Sequence, residues 1–101
     1  RSAAGEIDLV VRRFNTLVFV EVKTRQSQGA GAPHEAVDRE KQGRIVAIAA
    51  EFLRSYDARG CAIRFDVISA FLSGRHLELT HYADAFRPMS DPNRPWLLRR
   101  Y

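Results

Sequence analysis

Cysteine is almost absent. Cys61 stands alone in 101 residues, which excludes an internal disulfide and a zinc site built from cysteines, and suits a reducing cytoplasm. No apolar run approaches the roughly 20 residues of a membrane span, and no basic-then-apolar signal segment opens the chain, so a soluble, untargeted, cytoplasmic protein is expected. Arg1-Ser2-Ala3 begins it without methionine, and a further N-terminal segment is expected ahead of these residues. His34, His76 and His81 lack metal-ligand spacing, and no serine is paired with a histidine in a nucleophile motif. The loop from Gln26 to Pro33 holds two glycines and a proline but no Gly-Lys-Ser ending, so it is no phosphate-binding P-loop.

What is present is ordinary globular material with a basic bias. The length suits one domain, folding alone or as a homodimer, and 46% hydrophobic with 28% charged residues lies far from the composition of disorder. Sixteen basic against twelve acidic residues leave a formal charge of +4, which favours polyanionic partners such as nucleic acid or an anionic membrane surface. Fourteen of the sixteen bases are arginine, a bias that genome composition also produces.

Glu6 to Arg13 and Thr16 to Arg25 are rich in Val, Leu, Ile and Phe and are separated by Phe14-Asn15, the pattern of a β-hairpin with a short loop. Asp38 can cap a helix running to about Tyr56, in which Ile45, Ala49, Phe52 and Tyr56 recur as an apolar stripe with Gln42 one turn earlier. Ile63 to Phe71 and His76 to Tyr82 read as two more strands around Ser73-Gly74. The order is ββαββ, an α/β fold. From Arg87 onward Pro88, Pro92 and Pro95 predict an irregular tail over residues 87–101, which Trp96 and Leu97-Leu98 would pin to the body, leaving residues 1–86 as the domain.

A hairpin centred between Phe14 and Asn15 pairs residues whose numbers sum to 29, which sets Asp8 opposite Glu21 on one face. Two opposed carboxylates are destabilising unless a cation compensates. Lys23 shares the face of Glu21, because alternate strand residues point the same way. Asp, Glu and Lys then converge, and paired carboxylates match Mg²⁺, which binds through one or two of them and keeps water and phosphate in its remaining positions. Such an ion would activate water for phosphodiester hydrolysis while Lys23 orients that water or stabilises developing charge. A surface salt-bridge ladder with nothing bound is the bland alternative. Against it, Leu17 and Phe19 share the face of Glu21 while Val18 and Val20 line the other, so the strand reads as buried on both sides with charges at one end, where they are costly unless used.

Gly5-Glu6-Ile7-Asp8-Leu9-Val10, followed by Leu17-Val18-Phe19-Val20-Glu21-Val22-Lys23-Thr24-Arg25, resembles the bacterial YraN family of predicted endonucleases, which are similar to archaeal Holliday-junction resolvases within the PD-(D/E)xK superfamily. Lys41-Gln42, Arg64-Phe65-Asp66-Val67 and His81-Tyr82-Ala83-Asp84-Ala85-Phe86 extend the resemblance over residues 5–86. It implies a restriction-endonuclease-like single domain with a mixed sheet, whose N-terminal helix is absent from this chain. It further implies Asp8 and Glu21 as ligands of Mg²⁺ or Mn²⁺, with the Val22 backbone carbonyl as a third, Lys23 as the catalytic lysine and Gln42 as a supporting residue. Gly43 stands where the family often has arginine, and the tail after Pro88 has no counterpart in the resemblance.

Arg25, Arg39, Lys41 and Arg44 surround the candidate site in sequence and are expected to contact phosphates. Glu6 reads first as an exposed strand-end residue. Asp66, in an apolar strand beside Arg64, suits either a structural ion pair or a place near the metal. The expected function is metal-dependent endonuclease-like action on DNA phosphodiesters, extended by the resemblance to branched DNA. The rival is a non-catalytic nucleic-acid-binding or repair-assembly module of the same fold.

Overall fold

The computed structural model describes residues 7–25 and 39–98. The Gln26 to Pro33 loop, the Asp38 cap, Glu6 and His34 lie outside the described residues. Strands β1 (Leu9–Arg13) and β2 (Thr16–Arg25) form the hairpin, paired from Arg13 with Thr16 to Leu9 with Val20. This is the register that a turn at Phe14-Asn15 dictates. Phe14 takes a φ of 53°, the left-handed region in which a two-residue loop follows the twist of its strands, at a steric cost of about 1–2 kcal/mol.

Helix α1 (Arg39–Leu53) follows, then β3 (Ala62–Ser73) and β4 (His76–Tyr82). The sheet order is β1-β2-β3-β4, with β2 and β3 parallel and the outer pairs antiparallel. Parallel neighbours need a crossover, and α1 lies within it. The helix ends at Leu53 rather than near Tyr56. The N–H groups of Arg54 and Ser55 donate to the carbonyls of Glu51 and Phe52 at 3.2 Å, bonds to the third residue back that close the α-helical ladder. Tyr56 nevertheless packs on Phe52, ring centroids 5.1 Å apart, so the apolar spacing outlasts the helix.

Leu17 and Phe19 of β2 and Ile63, Phe65 and Val67 of β3 form one core with Ile45, Val46 and Ala49 of α1. Phe19 stacks on Phe65 at 5.8 Å and meets Phe52 edge-on at 5.6 Å. Val18 and Val20 are buried on the opposite face, so β2 is enclosed on both sides until Glu21, as a central strand of a mixed sheet should be. Beyond β4 the chain turns in a short 3-10 helix, Pro95–Leu98, where Leu97 enters the core and Trp96 packs against it. No described helix is long and apolar enough to cross a membrane.

Candidate metal and nucleic-acid site

Sites on parallel sheets gather beyond the carboxyl ends of the strands, and β2 carries Glu21 and Lys23 toward that end. After the Leu9–Val20 pair, the next hydrogen-bonded step of the hairpin would join Ile7 to Val22. Instead the chain bends at Asp8, and Asp8 Oδ2 accepts the Val22 N–H at 2.8 Å. The side chain replaces a main-chain acceptor and is thereby held on Val22, the residue after Glu21. In an extended strand the N–H and C=O of one residue point to the same side, so the Val22 carbonyl faces this gap too.

Asp8, Glu21 and that carbonyl make an all-oxygen donor set, which fits a hard cation such as Mg²⁺ or Mn²⁺. Among the described residues no group of three or more His, Cys, Asp or Glu could hold a metal. A cation here would therefore complete its shell with water and phosphate oxygens, as Mg²⁺ commonly does.

Lys23 Nζ stands 3.9 Å from Glu21 Oε1, with side chains 23% and 27% exposed. Burial lowers the pKa of the Lys23 ammonium; Lys41 at hydrogen-bonding range and the charge of Arg44 lower it further, while Glu21 opposes them. The first turn of α1 has thus set a second ammonium, that of Lys41, against Lys23. An anion drawn to this pair would relieve their repulsion. Gln42, the next residue along α1, lines a groove with Arg39, Arg87 and Arg94. Arg44 and Arg39 are exposed, and the side chain of Arg25 lies outside the described set. The fold therefore assembles Asp8, Glu21, Lys23 and Lys41, adds Arg44 at longer range, and leaves Arg39 and Gln42 to the adjoining groove.

Asp66 belongs elsewhere. It pairs in register with Val20, so it projects from the sheet face opposite Glu21 and Lys23. Its carboxylate is 1% exposed and accepts a two-pronged bond from Arg64, Nε and Nη2 each at 2.8 Å, and the Asp84 N–H at 2.9 Å. His81 Nε2 stands 2.6 Å from the same carboxylate. Of the two readings open in the sequence, the ion pair is the one the fold selects. Its histidine was legible, because a turn at Gly74-Arg75 sets His81 diagonal to Asp66 across β3 and β4. Nothing local announces the meeting of Lys41 with Lys23 or of Arg87 and Arg94 with Gln42, since both depend on how the helix and tail dock.

Comparison with known proteins finds relatives over most of the chain. A protein of Rhodococcus opacus (strain B4) described as a UPF0102 protein is 44% identical over 87 residues, covering 85% of this chain and 74% of its own length. One of Caldicellulosiruptor saccharolyticus, so described, is 36% identical over 88 residues, 85% of this chain and 75% of its own. One of Beutenbergia cavernae, also so described, reaches 49% over 69 residues, 68% of this chain and 58% of its own. Residues 1–70 match the family described as "Uncharacterised protein family UPF0102". The chain belongs to that family.

Proposed function

We propose that this chain is a metal-dependent endonuclease-type protein acting on DNA phosphodiesters, with branched DNA as a candidate substrate. The observation that carries this reading is the broken hairpin ladder at Asp8, which fixes one carboxylate on the N–H of Val22, the residue after Glu21, at the strand end where Lys23 and Lys41 supply positive charge. Asp8, Glu21 and the Val22 carbonyl would hold Mg²⁺ or Mn²⁺. The bound ion would supply a water of lowered pKa and neutralise charge on the phosphoryl group. Lys41 and Arg44 bind and orient the phosphate. Lys23, between Glu21 and Lys41, hydrogen-bonds the attacking water or the phosphoryl oxygen on which charge develops. Gln42 and Arg39 guide the adjacent strand.

Glu21→Gln tests this directly, because it removes a ligand's charge with little change of shape. With Mg²⁺ or Mn²⁺ and a panel of linear, single-stranded and four-way-junction DNA, we expect cleavage to fall by more than about 100-fold while DNA binding is retained. Cleavage at the wild-type rate by the pure variant would defeat the assignment. If the wild type binds DNA but cleaves none of the panel, the non-catalytic nucleic-acid-binding module takes its place.

A further inference from the structure

The tip of the β1–β2 hairpin carries a side chain that neither the core nor the turn requires. Phe14 is 83% exposed, so its ring adds nothing to the packing. Of the two central residues of the loop it alone takes a positive φ, 53°, and at that first position a two-residue loop favours glycine. A bulky aromatic there combines backbone strain with an exposed apolar surface. Strain of this kind persists where the surroundings fix it, and it points to a task at the surface. Here the tip is fixed: the Ala62 N–H donates to the Asn15 carbonyl at 2.7 Å, and Arg12 Nε donates to the Phe14 carbonyl at 3.4 Å.

The charge around the ring selects the partner. The Arg13 guanidinium lies over Phe14, 5.5 Å from the ring centroid, and a guanidinium stacked in this way keeps its N–H donors in its own plane, open to an anion. Arg12 donates to two neutral oxygens, the Phe14 carbonyl and the Tyr56 hydroxyl at 3.1 Å, which leave its charge in place. Leu9 to Val20 contains no acidic residue, and Asp57, which acts on Arg12 from a distance, is gripped by Arg59 through two bonds at 3.0 Å. A nucleic-acid strand matches an open ring edged by arginines, its base stacking on the ring and its phosphates meeting the guanidiniums. The base must be unpaired, because neighbours cover both of its faces within a duplex. An apolar protein pocket would bury the arginines without partners, and a membrane would gain one ring beside the polar, exposed Asn15.

We propose that the hairpin tip is a second nucleic-acid contact, at which Phe14 stacks on an unpaired base while Arg13 and Arg12 hold the phosphates beside it. The tip is separate from the metal site. About 20 Å of strand lies between Phe14 and Glu21, at the usual rise of about 3.3 Å per residue. The proposal rests on the nuclease reading only for the expectation that one bound molecule reaches both ends of β2.

The test measures binding in EDTA, where metal-dependent cleavage is prevented, to a single-stranded oligonucleotide, a blunt duplex and vesicles containing phosphatidylserine. Phe14→Gly should keep or raise the Tm, since glycine accepts the positive φ, while single-strand affinity falls at least fivefold and duplex affinity stays within about twofold. Phe14→Trp should keep single-strand affinity within about twofold. Its added fluorescence, measured against the Trp96 background of the wild type, should be quenched by the single strand and not by the duplex. Arg13→Gln should weaken single-strand binding and flatten its salt dependence. Single-strand affinity unchanged in Phe14→Gly, a single strand that fails to bind the wild type, or an indole unquenched by it overturns the proposal. Vesicle binding that depends on Phe14 while single-strand binding does not makes the tip a membrane contact and overturns it as well. Stacking at Phe14 by a protein that cleaves no DNA upholds the tip and defeats the nuclease reading alone.

Discussion

Asp66 illustrates how much one buried carboxylate can carry. Burial acts to raise its pKa, yet the Arg64 fork, the Asp84 N–H and His81 together hold it below the ordinary carboxylate value. A depressed folded pKa contributes stability above the unfolded value, about 3.9, and that contribution is lost as pH falls from there through the folded pKa. Asp66→Asn should cost about 3–5 kcal/mol at pH 7, because it strands the partly buried Arg64 beside a neutral amide. Urea unfolding reads this, and the gap between wild type and variant should narrow below about pH 4. A cost under about 1 kcal/mol, or a gap independent of pH, would mean that the carboxylate charge contributes little to the fold. Asp66 itself was legible as a charged residue beside Arg64 in an apolar strand; its bond from the Asp84 N–H was not, because Asp84 reaches it only through the turn after β4.

At the scale of elements, the hairpin and the helix differ in how far local pattern determined them. The period-two alternation and two-residue loop leave β1 and β2 a single register, so the pairing from Arg13 with Thr16 to Leu9 with Val20 could be read directly. The extent of α1 could not, because Tyr56 keeps the apolar spacing beyond the last helical residue. The hydrogen bond between Asp8 and Val22 adds a part that the sequence concealed. Asp8→Ala should lose about 0.5–1.5 kcal/mol in EDTA by removing the acceptor. Asp8→Asn keeps an oxygen there and relieves the repulsion from Glu21, so it should remain within about 0.5 kcal/mol of wild type or exceed it. Millimolar Mg²⁺ or Mn²⁺ should then raise the Tm of wild type more than that of Asp8→Asn, since a ligand of the native state stabilises by mass action. Thermal melts check both parts. An Asp8→Ala protein as stable as wild type would remove Asp8 from the ladder, and identical metal responses would remove it from the metal.

Over the whole molecule, closure of the core by the tail and the excess of positive charge have separate consequences. Leu97 is 6% exposed among residues of the sheet and α1, so Leu97→Ala should cost about 2–4 kcal/mol, the range for a cavity in a packed core. A loss below about 0.5 kcal/mol in denaturant titration would instead describe a tail merely resting on the surface. The formal charge of +4 bears on binding. With Glu21→Gln as parent, duplex affinity should fall steeply with salt, and neutralising Arg39, Lys41 or Arg44 should reduce the log–log slope by about 0.9 for each phosphate that is no longer neutralised. An affinity indifferent to salt, or no binding in dilute salt, would favour a structural partner protein over a nucleic-acid binder.

The sequence by itself determined the elements whose information is local: the hairpin and its register, the order ββαββ, and the doubly buried strand ending in Glu21 and Lys23. Alternation along a strand and spacing along a helix are repeated over successive residues, so they survive without any knowledge of docking. Only the tertiary structure decided that β2 and β3 run parallel, that Lys41 meets Lys23, that Asp66 faces away from Glu21, and that Arg87 and Arg94 close a groove with Gln42. The first and third follow from how β3 joins β2, and the others depend on where a helix or tail settles against the sheet. That placement is chosen by the summed packing of Phe19, Phe52, Phe65, Val46 and Leu97 rather than by the residues it brings together.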